Sequence, residues 1–91
     1  MKLESDLSIR NAEVLFSTFE QAYSNGGDIS LDASDVERID TTIFQIISAL
    51  KIRLQSENMS LHITEPSDEF IGSAELLGLA DFLELTANQN G

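Results

Sequence analysis

The residues best placed to do chemistry are Asp40-Thr41-Thr42, a carboxylate and two hydroxyls where a polar turn gives way to an amphipathic pattern. The first turn of a helix holds backbone N–H groups without intrahelical partners, together with the positive end of the helix dipole. A phosphate written onto a hydroxyl there is tolerated by the fold, yet adds about −1.5 to −2 charge and three strong acceptors to the surface. The same residues also suit a plainer role, since Asp40 or Thr41 as an N-cap contributes about 1 kcal/mol. Asp32 and Asp40, near successive strand ends, are the other pair with chemical potential, because two carboxylates can hold Mg²⁺ or exchange protons. Turn and cap roles account for both, and Asp32 and Asp35 can bond their own backbone.

Other chemistries lack their residues. His62 is the only histidine and cysteine is absent, so the several ligands of a zinc site are missing. A Ser/Thr–His–Asp triad would need a nucleophile elbow of the Gly-x-Ser-x-Gly kind, and none exists. Asn25-Gly26-Gly27-Asp28 is a glycine turn, not a phosphate loop, since no Gly-Lys-Ser/Thr follows. No cofactor, metal or catalytic residue is expected, and His62 reads as a partly exposed strand residue.

The elements that must position Asp40-Thr41-Thr42 follow from periodicity. Leu3, Ser5, Leu7 and Ile9 alternate, which predicts a short, half-buried opening strand. Ser8 or Asn11 can cap a helix of about four turns whose apolar face is Ala12, Leu15, Phe16, Phe19, Ala22 and Tyr23. Asn25-Gly26-Gly27 ends it. Ile29, Leu31 and Ala33 mark a second strand. The helix opened by Asp40-Thr41-Thr42 carries a buried stripe of Ile43, Ile46, Ile47, Leu50 and Leu54. Phe44, Ser48 and Ile52 lie off that stripe at four-residue steps, and so form an exposed patch unless a neighbouring helix covers Phe44.

Met59, Leu61 and Ile63 alternate as a third strand. Pro66-Ser67-Asp68-Glu69 opens another helix with Ser67 as its cap, Phe70, Ile71, Ala74 and Leu77 on its apolar side, and Gly78 as its stop. Residues 79–85 read as a last short strand or a packed terminal turn. The alternation predicts an α/β fold with a mixed, mostly parallel sheet and helices packed mainly on one face. Residues 3–85 form a single domain, and 86–91 a flexible tail.

Sixteen acidic residues against five basic ones give a net charge of −11 over 91 residues. Lys2, Arg10, Arg38, Lys51 and Arg53 are too few and too scattered to track a phosphate backbone, so nucleic acid is not an expected partner. An anionic membrane surface repels such a chain. A partner with a basic face is attracted, although the same charge also serves as a solubility device. No run approaches the roughly 18 apolar residues of a membrane span. The acidic start does not resemble a signal peptide, and a cytoplasmic monomer or weak dimer is the expectation.

The run Leu31-Asp32-Ala33-Ser34-Asp35-Val36-Glu37-Arg38-Ile39-Asp40-Thr41-Thr42 resembles the central signature of STAS domains, the fold of bacterial anti-sigma-factor antagonists. Leu61-His62-Ile63-Thr64 and Glu75-Leu76-Leu77-Gly78-Leu79-Ala80 fit the following strand and the close of the next helix. The resemblance implies a small STAS-type fold and a non-catalytic protein-interaction module. It makes Thr42 the phosphoacceptor, Thr41 the second choice, and Asp40, Thr41, Thr42, Phe44, Ser48 and Ile52 the partner-binding surface. The chain departs from the family where many members carry Gly-Leu, having Ile43-Phe44 instead, and it has Thr in place of the commoner Ser. The implied partner is an anti-sigma serine kinase. The alternative is a constitutive accessory subunit of a phospholipid-transport ABC complex or of a chemotaxis signalling system. The short opening strand and Val36-Glu37-Arg38-Ile39-Asp40-Thr41 look more like that transport and chemotaxis branch.

Overall fold

In the computed structural model, which describes residues 1–85, the chain forms β1 (Asp6–Leu7), α1 (Ala12–Asn25), β2 (Ile29–Asp32), β3 (Arg38–Ile39), α2 (Thr41–Ser56), β4 (Leu61–Thr64) and α3 (Asp68–Leu76). The expected tail, 86–91, lies outside the described residues. β2 pairs with β4 from Ile29 opposite Leu61 to Asp32 opposite Thr64, and β1 pairs with β3. Every pair among the described strands is parallel. Ile29, Leu31 and Leu61 turn into the core, whereas Ser30, His62 and Thr64 on the opposite face are exposed. The period of two thus leaves one face of this ladder for the helices, as expected.

The first residues join the two ladders. Leu3 N–H donates to Asp32 O and Asp32 N–H to Met1 O, so residues 1–3 lie along β2. Ser5 O then accepts from both Glu37 and Arg38 N–H, which transfers the chain to β3. The continuous opening strand expected from Leu3 to Ile9 is therefore corrected: the segment bends at Ser5 and changes partner, leaving a two-residue β1. Leu3 and Leu7 are buried as the alternation requires, but Ile9 is 62% exposed, because the chain has already entered a 3-10 turn at Ile9–Asn11. Neither Ser8 nor Asn11 caps α1 with its side chain. The Asn11 amide instead donates to Asp6 O at 2.7 Å.

Each helix has an identifiable reason to stop or start. α1 ends at Gly26, which takes φ 80°. Ser67 caps α3: its hydroxyl accepts from Phe70 N–H at 3.1 Å and donates to Val36 O at 2.7 Å. One hydroxyl thereby joins the α3 start to the turn before β3. Ser67→Ala is expected to cost about 1–2 kcal/mol in denaturant unfolding, with Ser67→Thr retaining most of that stability. Gly78, at φ 73°, ends the α3 segment.

The core lies between the sheet and α2. Ile43, Ile47, Leu50 and Leu54 are buried as expected, and Ile46 is half-buried. Residues 79–85 form packed turns, the second of the two expectations, with Leu83 and Leu85 buried. Lys51 is buried beneath them, its ammonium 3.2 Å from Glu84 and 5.5 Å from the centre of the Phe82 ring. The aliphatic stem packs in the core while the charge finds an exposed carboxylate.

Candidate partner-binding site

Asp40 ends β3 in an extended conformation, and its backbone sets the start of α2. Its N–H donates to Leu7 O at 3.0 Å and its carbonyl accepts from Ile43 N–H at 2.9 Å. The side chain does not cap the helix, which corrects the expectation of an Asp40 cap. The carboxylate accepts from Ile9 N–H at 2.8 Å and stands 3.9 Å from the exposed Arg38 guanidinium. Asp40 therefore ties the start of α2 to the 3-10 turn before α1, and the first turn of α2 has no side-chain cap.

The two hydroxyls face opposite ways. Thr41 is exposed and, with Gln45, Ser48 and Ile52 of α2 and with Leu77 and Leu79 just beyond α3, lines a groove on the α3 side of α2, the α2/α3 groove. Thr42 is half-buried and lines a groove of about 260 Å³ between α1 and α2, with Phe16, Phe19, Ile46 and Leu50. Arg53 stands along that second groove, 3.3 Å from Glu20 and 4.0 Å above the Tyr23 ring. The Tyr23 hydroxyl donates to Glu57, and this bond to a carboxylate raises the phenol above its ordinary range. Gln45 lies between the grooves and lines both.

Of the patch expected off the buried stripe, Ile52 is 59% exposed and Ser48 half-buried, its hydroxyl without a partner. Phe44 is corrected: it is 0% exposed, its ring 5.1 Å from that of Phe70. α3 covers the face of α2 that carries it, so no partner can touch the ring. The exposed apolar surface is supplied instead by Leu76 and Leu77, at 90% and 42% exposure. Leu77 was expected on the buried side of α3, and Leu76 was not expected at the site. Nothing local to Leu76 and Leu77 signals this, since consecutive helical residues can both be buried, as Ile43 and Phe44 are.

Asp32 and Asp40 have separate partners, Asp40 bonding Ile9 N–H. Asp32 accepts from Ser34 N–H at 2.9 Å, and the Ser34 hydroxyl and amide hold its carboxyl below the usual range. That is the turn role expected of Asp32. Asp35 departs from it, meeting Lys2 at 3.4 Å on an exposed surface. No group of three or more acidic or histidine residues among the described residues could hold a metal. His62 is exposed on β4. No helix of the described residues is long and apolar enough to cross a membrane.

A family model described as "Mlab, STAS domain" matches residues 1–86. Neither the curated proteins nor the solved structures contain a match to the chain.

Proposed function

We propose that this chain, which belongs to the STAS family, is a non-catalytic, anti-sigma-factor antagonist-like module that docks a partner protein through Asp40-Thr41-Thr42 and the outer side of α2. The observation that supports this most is the pair of hydroxyls at an uncapped helix start, each opening onto an apolar groove. Thr42 is the phosphoacceptor in this proposal. Phosphate there meets the favourable end of the α2 dipole, so the fold accepts it. A partner seated over the same turn must bury that charge, which costs several kcal/mol unless lysine or arginine answers it. The partner in this case is an anti-sigma serine kinase, and the compartment the cytoplasm.

Thr41 is the second choice, and its exposure suits access by a kinase. Phosphopeptide mapping of the protein from its native cells separates the two. Phosphate on Thr42 is expected; phosphate on Thr41 would move the switch to the α2/α3 side, and two unmodified threonines under all growth conditions would remove it.

The second reading is a constitutive accessory subunit of a phospholipid-transport ABC complex or a chemotaxis system. The half-buried position of Thr42 favours it, because a hydroxyl set against α1 is a poorer kinase substrate than a free one.

A further inference from the structure

We infer that the α2/α3 groove receives the apolar face of a partner helix whose flanking residues are lysine and arginine. This rests on the reading of the domain as a protein-binding module and names the chemistry of the partner it binds.

Shape argues for a helix. Ile52, Leu77 and Leu79 wall the groove, and it continues past Thr41 between Leu76, Leu77 and Ser73. Thr41, Gln45, Ser48 and Ile52 mark its course at three- and four-residue steps along α2. That course is roughly 16 Å at helical rise, or about three turns, which suits anchors spaced i, i+3/i+4 and i+7 on an incoming helix. Leu76 and Ile52, more than half exposed, are large apolar side chains with no neighbour to cover them.

Charge selects the occupant. Glu69 is bonded to Ser73 at one end of the groove, Glu75 precedes Leu76, and Asp81 follows Leu79; all three are exposed. α3 contains no cation. Of the two cations of α2, Lys51 is buried against Glu84 and Arg53 is turned toward α1 and Glu20. Near the Thr41 end stand Arg38, 3.9 Å from Asp40, and Arg10, next to the Ile9 amide that bonds the same carboxylate. The apolar strip is therefore set among carboxylates with little positive charge to answer them. A second copy, also carrying −11, is repelled, as is an anionic membrane. A basic amphipathic helix is steered in and held in register.

The test uses a designed amphipathic peptide of leucine and lysine, about five helical turns long, and a leucine–glutamate counterpart, in about 0.15 M salt. Fluorescence anisotropy measures binding to the wild type, to Ile52→Ser/Leu76→Ser, and to Val14→Ser on the side of α1 away from α2. All three positions are exposed, and thermal melts confirm that each variant is folded. The lysine peptide is expected to bind the wild type, to weaken at least about tenfold on the groove variant and less than about twofold on the α1 variant. Chemical-shift changes on the wild type should concentrate at residues 41–52 and 73–79, and the glutamate peptide should not bind. Absence of binding, equal loss on both variants, or shift changes spread over the whole acidic surface would overturn the inference. A native partner captured through α2 alongside any of these results would leave the interaction module standing and refute only the basic helix.

Discussion

Phe44→Ala is expected to remove about 3–5 kcal/mol of stability, among the largest effects of a single substitution on this fold. Phe44 and Phe70 are both fully buried, their rings 5.1 Å apart and tilted by 55°. Such a pair contributes about 0.5–1.5 kcal/mol beyond the area it buries. It is also the aromatic contact between α3 and α2, while the Ser67 hydroxyl ties the α3 start to Val36. A domain of this size has a total stability on the order of 5–15 kcal/mol, so the loss is a large fraction of the whole. Urea unfolding measures it, with Phe44→Leu expected to lose less because more of the volume is kept. A loss under about 1 kcal/mol for Phe44→Ala would mean that α3 is not held on α2 by these rings. The α2/α3 groove would then lack a fixed wall.

Thr42→Glu is expected to separate binding from folding. A carboxylate in the first turn of α2 meets the favourable end of its dipole, a gain of about 0.3–1 kcal/mol. The extra stem must fit the groove against Phe16 and Phe19, which opposes that gain. The melting temperature should therefore stay within a few degrees, roughly the shift that 1 kcal/mol produces. Partner affinity should fall by about 10- to 100-fold, because Thr42 lines the α1/α2 groove, away from the basic flanks of a helix seated in the α2/α3 groove, and an interface closing over the new charge there leaves it uncompensated. Thr42→Val keeps the shape without hydroxyl or charge, and should bind within a few-fold of wild type. Thr41→Glu places the same charge on the α3 side, so the ratio of the two glutamate effects reports which groove the partner covers.

What could be read from the sequence was local. The Ile29-Leu31 and Leu61-Ile63 alternation, the Ile43-Ile47-Leu50-Leu54 stripe, the Ser67 cap and the glycine stops depend on residues within a turn or two of one another, and each appears in the fold. The misread positions depend on distant partners. Phe44 is buried only because α3 docks on that side of α2, and nothing near Phe44 specifies where α3 goes. Asp40 finds Ile9 N–H, 31 residues earlier, so a carboxylate ideally spaced for capping is drawn elsewhere. The opening segment changes partner at Ser5, and alternation cannot reveal that. The cover over Lys51 likewise comes from turns more than thirty residues later. The site shares this division. Thr41 and Thr42 were legible as a helix start, but their opposite outlooks depend on α1 and α3 flanking α2.

The central claim is that a partner docks over the start of α2 and that charge on Thr42 releases it. A photoreactive residue in place of Gln45, which lines both grooves, tests this directly by crosslinking in the native cells. The crosslink is made with wild-type Thr42 and with Thr42→Glu side by side, and the adduct is identified by mass spectrometry. The account predicts one discrete protein adduct with the wild type, strongly reduced with Thr42→Glu. An adduct of equal yield with both would contradict the switch and make the domain a fixed subunit, while no adduct from Gln45 would contradict docking at α2 altogether.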